Sequence, residues 1–375
     1  MTINSPEHRN ACARRLIDAG QTMSERTAFV GFDGFVDEIL HVVDKRQNAE
    51  AYTRIPTIDH LARRIAGASG KSTNIELVTQ RIKLGGNGPI MAYALAALGL
   101  KVTYLGTLGF PNLHPVFESF TRVAEVHSIG EAGHTDALEF EDGKLMLGKT
   151  SQLNELTWET IQTRFGRDRF AARFQSSDLI GFVNWTMIPY MSDLWQALLH
   201  ELCPTLQGPR RKLFFDLADP EKRSREDLLR ALELIVRFQA HFDVILGLNE
   251  KESYSISQAL DLPQQPITRD GLCETAADIR KRISVDTIVI HPVAYALATS
   301  SGPPCVIEGP FVPRPVITTG AGDHFNAGFC LGKLLGLDDS MSLLTGVTTS
   351  GFYVRTGRSP SLHDLAGLLR DWIDK

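Results

Sequence analysis

The chain has 375 residues, of which 43% are hydrophobic and 22% charged, and its formal net charge is −5 with a pI near 6.1. This composition excludes wholesale disorder and supplies enough apolar side chains for a sizeable core. The acidic balance, with only short and scattered basic clusters such as residues 210–212, excludes a cationic nucleic-acid surface, so no nucleic-acid partner is expected.

The cysteines and the beginning of the chain indicate a cytoplasmic protein. The five cysteines are odd in number and too far apart for a CxxC metal knuckle, which favours reduced thiols over a disulfide framework. Residues 1–28 carry charges at short intervals, which predicts an amphipathic helix rather than a signal peptide. No run of 18 apolar residues occurs, so no membrane span or membrane partner is expected.

Short runs of β-branched and aromatic residues alternate with helical patterns along the chain. Such alternation is typical of parallel strands joined by helical crossovers, and it predicts a doubly wound, mainly parallel sheet flanked by helices. With no fixed-period repeat or linker, residues 1–375 are predicted to form a single α/β domain. The predicted strands are residues 28–32, 102–108, 178–185, 212–217, 243–248 and 287–291.

Two segments interrupt this alternation and predict a small β lid. Residues 36–85 form a long excursion after the first strand and end in the strand-like run 76–84. Residues 135–149 alternate around Asp142-Gly143, a dipeptide suited to the type I′ turn of a hairpin. Together the two segments are expected to form a small sheet that covers one end of the main sheet.

Two carboxylates follow the first predicted strand. Asp33 and Asp37 lie where ligands of open α/β sheets bind, beyond the carboxyl ends of the strands. There they can accept hydrogen bonds from sugar hydroxyls. The alternative is that both are ordinary surface acids of a loop.

The next motif is a glycine-rich loop that opens a helix. Gly85, Gly86 and Asn87 precede apolar residues at helical spacing. Paired glycines allow a polyol to lie against the backbone, and the Asn87 amide offers both a donor and an acceptor. A plain turn explains the same glycines. Gly70-Lys71-Ser72 matches the end of a P-loop, but Ile65 stands where the first P-loop glycine belongs.

The third motif lies at the end of the strand predicted at 243–248. Asn249 and Glu252 are three residues apart, and their oxygens could orient water on Mg²⁺ or on a phosphate, since Mg²⁺ usually keeps several waters. The same spacing is equally typical of a capping box at a helix N-terminus.

The strongest motif passes from small residues into an apolar helix. Gly320, Ala321 and Gly322 add almost no bulk, so the free N–H groups of the helix can face an anion. Asp323 follows in the first turn, where its carboxylate can take a proton from an attacking hydroxyl. The alternative is a tight turn with Asp323 as helix cap. A dinucleotide fingerprint does not fit, because Phe325 replaces its third glycine.

These motifs, in this order, resemble the ribokinase-like, or PfkB, family of carbohydrate kinases, from about residue 27 to the end. The resemblance implies an ATP-dependent kinase that phosphorylates a hydroxyl of a sugar or sugar-like molecule with the help of Mg²⁺. It assigns Asp323 as the base and residues 320–322 as the anion hole. The remaining roles that it implies are substrate contacts for Asp37, Gly85, Gly86 and Asn87, nucleotide contacts for Asn249, Thr318, Gly322 and Asn326, and the metal site for Asn249 and Glu252.

The chain departs from the family pattern in several places. Ile317 stands where members commonly carry Asp or Asn for a monovalent-cation site, although residues 355–359 resemble the turn beside that cation. His291 replaces a Thr or Gly-rich turn near the nucleotide, and Lys149 ends the lid hairpin; each is either a ligand contact or an ordinary core or surface residue. Many members dimerise through the lid, so a homodimer is an expectation here.

Two functions remain open from the sequence. The first is the kinase, whose acceptor is a hexose, pentose, sugar acid, polyol or nucleoside; carbohydrate is favoured because Asp and Asn beside glycines suit ligands rich in hydroxyls. The alternative is a catalytically inactive sugar- or nucleotide-binding protein that retains the kinase fold, since a fold alone does not establish activity. The presence of Asp323 and its glycines favours the kinase.

Overall fold

The computed structural model describes residues 3–372 and contains two β-sheets and twelve α-helices. The larger sheet has nine strands, in the spatial order β14-β13-β12-β11-β10-β9-β1-β5-β6. Its strands are β1 (Thr27–Phe32), β5 (Lys101–Gly106), β6 (Glu125–Ser128), β9 (Leu179–Phe182), β10 (Lys212–Asp216), β11 (Asp243–Leu248), β12 (Thr287–Ile290), β13 (Tyr295–Thr299) and β14 (Cys305–Glu308).

The sequence-based fold class is confirmed, because seven of these strands run parallel and only β13 and β14 are antiparallel. All six predicted strands are present, with ends that differ by up to three residues. From β1 the chain first builds outward through β5 and β6, and later returns to build the other half from β9. The junction of β1 and β9 is therefore the topological switch point, where open α/β sheets bind ligands.

Helices cover both faces of the main sheet. On one face, α4 to α9 pack over a core rich in aromatic rings, including Trp195 and Phe215, whose centroids lie 4.9 Å apart in an edge-to-face contact. On the other face lie α1, α3 and α10 to α12. The helices are α1 (Pro6–Ala19), α2 (Ile58–Ala66), α3 (Asn87–Ala97), α4 (Trp158–Ile161), α5 (Arg167–Ser176), α6 (Met191–Glu201), α7 (Arg225–Phe238), α8 (Glu250–Ala259), α9 (Arg269–Ile283), α10 (Ala321–Leu334), α11 (Asp339–Thr356) and α12 (Leu362–Arg370).

The two irregular segments come together in one five-stranded sheet, as the sequence predicts. Its long central strand pairs in parallel with the first strand of the predicted hairpin and antiparallel with the strand that leads into the glycine loop. The strands of this lid sheet are β2 (Phe35–Arg46), β3 (Tyr52–Arg54), β4 (Leu77–Gly85), β7 (Gly133–Glu139) and β8 (Lys144–Lys149).

The predicted type I′ turn of the lid hairpin is wrong. That turn needs a positive φ at both central residues, and Asp142 is not among the residues with positive φ. Instead β7 and β8 are joined by residues 140–143, and the Phe140 N–H donates to the Gly143 carbonyl oxygen at 2.9 Å. The Asp142 carboxylate accepts a hydrogen bond from the Ile58 N–H at 3.0 Å, which connects this loop to the start of α2.

The five cysteines are free thiols, in agreement with the expectation of no disulfides. Within residues 3–372, no helix combines the length and the apolar character needed to cross a bilayer.

Helices α10 and α11 approach closely because small residues lie between them. A Cβ added to Gly328 would lie 2.3 Å from the Thr349 Oγ1 atom and 2.7 Å from the Thr345 carbonyl oxygen. Gly332 has a similarly tight environment, with the Ser342 Cα at 2.6 Å. This packing fixes the helix that begins with the Gly320–Asp323 motif.

We expect the Gly328→Ala variant to lose about 1–3 kcal/mol of unfolding free energy, because overpacking outweighs the better helix propensity of alanine. Gly367→Ala on α12 is the matched control, since its added Cβ meets no atom within 4 Å. The free energy of unfolding of that variant should rise by up to about 1 kcal/mol. Urea unfolding of both variants measures the difference, and equal stabilisation by both would contradict the close packing.

Candidate active site

The lid sheet and the carboxyl ends of the main-sheet strands enclose a cavity of about 610 Å³. The lid contributes Phe35, Asp37 and Thr135 to its wall. The end of β10 contributes Asp216, the loops after β9 and β11 contribute Asn184 and Asn249, and the start of α10 contributes Gly320, Gly322 and Asp323. Residues from all four sequence motifs thus lie at one place.

Asp33 lies behind the wall of this cavity and is fully buried. Its carboxylate accepts hydrogen bonds from the N–H groups of Asn87 (3.0 Å) and Gly88 (2.8 Å) and from the Asn184 Nδ2 atom (2.7 Å). Burial raises the pKa of Asp33 to about 6, although these three donors oppose the shift. The predicted contact of Asp33 with substrate is therefore not favoured by the geometry: the carboxylate holds the glycine loop against the end of β9.

The glycine loop presents Asn87 to the cavity. Gly86 precedes α3 with a φ of +97°, a left-handed conformation that favours glycine, and an added Cβ would lie 2.9 Å from the Asp33 carboxylate. At the start of α3, the Asn87 Nδ2 atom donates to the Asp323 Oδ1 atom at 3.0 Å. The glycine loop thus contacts a carboxylate that lies 236 residues later in the sequence.

Asp37 points into the cavity from the lid. It pairs in the sheet with Lys83 and Thr135, and the Lys83 Nζ atom lies 3.9 Å from its carboxylate. Burial raises the pKa of Asp37, while the charge of Lys83 and a hydrogen bond from Thr135 oppose the shift. An added Cβ on Gly85 would lie 2.3 Å from the Asp37 carboxylate. Gly85 thus makes room for Asp37 and does not itself line the cavity.

Asp323 lies in the first turn of α10, as the sequence predicts. Gly320 caps the helix with a φ of +90°, and the following N–H groups point along the helix axis toward the cavity, where the positive end of the helix dipole lies. Asp323 is 7% exposed. Burial raises its pKa to about 8, with help from the nearby charge of Asp33 and against the hydrogen bond from Asn87.

Asn249 and Glu252 form the capping box that the sequence left as an alternative. The Asn249 Oδ1 atom accepts from the Glu252 N–H at 2.9 Å, and the Glu252 Oε2 atom accepts from the Asn249 N–H at 2.8 Å. The second Glu252 oxygen accepts from the Asp219 N–H at 2.9 Å. Both residues still line the cavity, so capping does not exclude a second role.

Asp216 is a buried carboxylate that the sequence reading missed. It accepts hydrogen bonds from the Ala218 N–H and from the Asn326 Nδ2 atom, each at 2.9 Å. Burial and the charges of Glu252 and Asp323 raise its pKa well above the ordinary range. Asn326, a predicted nucleotide contact, is 1% exposed and is not among the residues that line the cavity, because its amide turns toward Asp216.

The cavity is acidic. Asp37, Asp216, Asp219, Glu252 and Asp323 line it, and among the described residues Lys222 is the only Lys or Arg in the lining. The Lys222 ammonium lies 3.0 Å from Asp219 and is half exposed. Such a set of oxygen donors suits a hard cation better than it suits a free anion.

A second cavity of about 320 Å³ adjoins the first, and His291 and Gly322 line both. Its wall is mainly apolar, with Val293, Pro310 and Val347 among its residues, and it also includes the predicted residues Thr318 and Ala321. Burial lowers the pKa of His291 to about 4, so the ring between the two cavities is neutral. The start of α10 separates the acidic cavity from the apolar one.

Several residues of the site lacked a usable sequence signal. Asn184 and Thr135 lie in no motif. The one sequence signal for Asp216 is its position near the end of the predicted strand 212–217. Lys149 turns away from the cavity and forms an ion pair with Asp136 at 3.0 Å, as expected of an ordinary surface lysine.

Comparisons with known proteins identify the family and the fold. The model of the prokaryotic ketohexokinase family matches residues 4–372. A ketohexokinase of Haloferax volcanii is 30% identical over 346 residues, which cover 92% of this chain and 91% of that protein. The Arabidopsis thaliana ribokinase complexed with ribose and ATP has a TM-score of 0.63 at 15% identity, over 92% of this chain and 98% of its own. A Cryptococcus neoformans ribokinase in complex with ADP has a TM-score of 0.62 at 15% identity, over 93% and 99%.

The raised pKa of Asp323 predicts how stability changes with pH. The folded state holds the proton of this carboxyl more tightly than the unfolded chain, whose Asp pKa is about 4. Its contribution to stability is therefore complete below about 4 and is lost as the pH rises through about 8. The melting temperature of ligand-free Asp323→Asn should exceed that of the wild type by a margin that grows across this range.

Thermal unfolding at a series of pH values measures this margin. Asp168→Asn, which changes a fully exposed carboxylate on α5, is the matched control for the removal of one carboxylate. A constant margin for Asp323→Asn would show that the buried carboxyl does not carry the proton assigned to it.

Proposed function

Because the chain belongs to the prokaryotic ketohexokinase family and is a carbohydrate kinase, we propose that it transfers the γ-phosphoryl group of ATP to a hydroxyl of a ketohexose, with Asp323 as general base. The resemblance to ribokinase-like kinases that the sequence predicted is thereby confirmed. The single observation that supports the proposed base is its position: Asp323 is buried at the start of α10, faces the cavity, and contacts Asn87 of the glycine loop.

The proposed reaction is an in-line displacement. Asp323 accepts the proton of the sugar hydroxyl, the hydroxyl oxygen attacks the γ-phosphorus, and the bond to the β,γ-bridging oxygen of ATP breaks. Of the predicted anion hole, the N–H groups of Gly320 and Gly322 are proposed to face the transferring phosphoryl group and to stabilise the charge that develops on it, because the Ala321 N–H donates to the Thr318 carbonyl oxygen. Its raised pKa makes the Asp323 carboxylate a stronger base than an exposed Asp.

For the sugar, we propose Asp37 and Asn87 as the main hydrogen-bonding residues. Asp37 can accept from hydroxyls, and the Asn87 amide can both donate and accept. Gly86 lets the ring lie against the backbone. Asn184 and Thr135 are added to the predicted set because they line the same part of the cavity.

The nucleotide is proposed to span both cavities. The apolar second cavity suits a purine base, which needs a flat and largely apolar slot, and Thr318 and Gly322 lie where the phosphates would pass toward Asp323. Asn326 remains a prediction as a nucleotide contact, although its amide is engaged with Asp216. A cytoplasmic location, inferred from the five free thiols, fits the use of ATP.

The residues present fit a magnesium ion. Asp216 and Glu252 are buried carboxylates whose pKa values are raised, and Lys222, which lines the same cavity, forms its ion pair with Asp219. Together with Asn249 they would hold Mg²⁺ through its water ligands, since Mg²⁺ prefers oxygen donors and keeps several waters. When bound, Mg²⁺ neutralises charge on the phosphates of ATP.

A monovalent cation does not fit. Ile317, Gly357 and Ser359 line a cavity of about 390 Å³ that also receives Arg81, Lys83 and Arg358, and within residues 3–372 no carboxylate lines it. A basic wall disfavours a cation by direct repulsion. We therefore assign no step to potassium.

We expect purified protein with Mg-ATP to release ADP in the presence of D-fructose or another ketohexose, and the Asp323→Asn variant to lose at least about 10² in kcat. The amide keeps the shape of the carboxyl but cannot accept the proton. The assay uses a panel of ketohexoses, aldohexoses, pentoses, polyols and nucleosides, with Gly367→Ala as the folded and active control. Near-normal turnover of Asp323→Asn would exclude Asp323 as the general base.

The same panel decides the alternative function. A ligand that raises the melting temperature but is never phosphorylated, at any nucleotide tested, would identify a catalytically inactive sugar-binding protein. Turnover with a nucleoside but with no sugar would overturn the assigned acceptor class while leaving the kinase.

We also propose that two copies associate through the outer face of the lid. Asp37 and Thr135 face the cavity, and so do their strand partners Lys83 and Gly148. Because successive strand residues point to opposite faces, the residues that precede these partners, Ile82 and Leu147, face outward. One end of this outer face is covered by α2, where Leu61 packs on Leu40. At the other end, Ile82 and Leu147 are 50% and 51% exposed.

Light scattering after size exclusion should give the mass of a dimer for the wild type and of a monomer for the Ile82→Arg, Leu147→Arg double variant, because charges cannot be buried between the two lids. Ile267→Arg is the matched control: its residue is 79% exposed in the loop before α9, and its change should leave the dimer intact. A monomeric wild type would exclude this interface.

A further inference from the structure

His324 is a buried histidine that the proposed reaction does not use. It follows Asp323 in the sequence but lines a different cavity, together with Arg358 and Ser359, and it is 2% exposed. Its Nδ1 atom lies 2.7 Å from the Gly320 carbonyl oxygen, and its Nε2 atom lies 2.8 Å from the Ser359 Oγ atom. Its ring is stacked on the Tyr353 ring, with centroids 3.6 Å apart and an angle of 13° between the planes.

These contacts determine which nitrogen of the His324 ring carries the hydrogen. A carbonyl oxygen can only accept, so the Nδ1 atom must carry a hydrogen. The ring is neutral, because burial lowers the pKa of His324 to about 4 and because the adjoining cavity is lined by Arg81, Lys83 and Arg358. In a neutral ring the Nε2 atom is then an acceptor, and the Ser359 hydroxyl donates to it.

The carbonyl that His324 holds belongs to the residue that caps α10. In a planar trans peptide the C=O of one residue and the N–H of the next point in opposite directions, so holding one fixes the other. The Thr319 carbonyl is held by the Tyr353 hydroxyl at 3.0 Å, and the Gly320 carbonyl by the His324 ring and backbone N–H. The Ala321 N–H in turn closes a turn on the Thr318 carbonyl at 3.1 Å.

Gly320 needs such a support. Its φ of +90° and the absence of a side chain leave the peptide before α10 with little restraint of its own. The Ala321 N–H is held by the Thr318 carbonyl, whereas a protein group placed on the cavity side against the Gly320 or Gly322 N–H would occupy the proposed place of the phosphate. The support must therefore come from behind, and Tyr353 and His324 lie there, with Ser359 linking the ring to the turn after α11.

We propose that His324 is a positioning residue of the kinase reaction, which orients the first-turn N–H groups of α10 by holding the Gly320 carbonyl and anchoring it to Ser359. This inference rests on the proposed function for its kinetic consequences. His324 touches no substrate, so it affects the transition state through the anion hole alone. The binding of sugar by Asp37 and Asn87 does not depend on it.

Three variants at position 324 separate orientation from packing. The amide nitrogen of Asn can reach the place of Nδ1, whereas that of Gln reaches the place of Nε2, and Leu fills the space without any hydrogen bond. We expect His324→Leu and His324→Gln to lose about tenfold to 100-fold in kcat with the KM for the sugar little changed, as for a small misplacement of catalytic groups. His324→Asn should recover most of the lost kcat.

Wild-type kcat in His324→Leu would overturn the inference, and so would equal losses in all three variants, because the effect would then follow volume alone. Ser359→Ala leaves the ring in place and removes its anchor; it should lower kcat less than His324→Leu does. Thermal unfolding of each variant confirms that the compared proteins are folded.

A second measurement does not depend on activity. In ¹⁵N NMR of the wild type, the His324 ring should show a protonated Nδ1 and an unprotonated Nε2, the tautomer opposite to that usually preferred by free histidine. The reverse tautomer would overturn the inference even if the protein is an active kinase. If instead no sugar is phosphorylated but the expected tautomer is observed, the proposed function fails and the contact to Gly320 stands.

Discussion

The buried carboxylate of Asp33 is the interaction on which the rest of the site depends. It lies where the order of the main sheet reverses, between β1 and β9, and it joins the end of β9 to the glycine loop through three hydrogen bonds. A buried charge is tolerated only when donors surround it. Those donors place Asn87, and Asn87 in turn contacts Asp323 at the start of α10. Segments far apart in the sequence are thereby held in one geometry.

Burial of acids gives the site both its chemistry and its instability in the ligand-free state. Asp216, Glu252 and Asp323 line one cavity, and burial together with repulsion from neighbouring carboxylates raises their pKa values. This arrangement is unfavourable for folding when the groups are ionised. The same carboxylates are suited to the proposed phosphoryl transfer, because that reaction needs ligands for a divalent cation and a proton acceptor at one place.

The lid illustrates how one strand serves two purposes. Along β2, alternate residues point to opposite faces, so Asp37 lines the cavity while its neighbours Val36 and Glu38 face away from it. The outer face is covered by α2 at one end only. The main sheet, in contrast, is covered by helices on both faces, and it supplies rigid loop ends at which polar groups converge.

The sequence by itself determined the fold class, the six strands, the two lid segments and the four motifs. These features depend on local periodicity and on the residue types that turns and helix ends require, and both are properties of residues that are neighbours in the sequence. The same local information gave the capping box at Asn249 and the position of Asp323.

Only the tertiary structure decided what each polar side chain contacts. Asp33 lies behind the cavity, Asp216 lines it, and Asn326 turns to Asp216. The lid hairpin has no type I′ turn, and its Asp142 accepts a hydrogen bond from the start of α2. Each of these outcomes depends on groups more than 50 residues away in the sequence. Such contacts follow from how elements pack in space, and no spacing within one element encodes them.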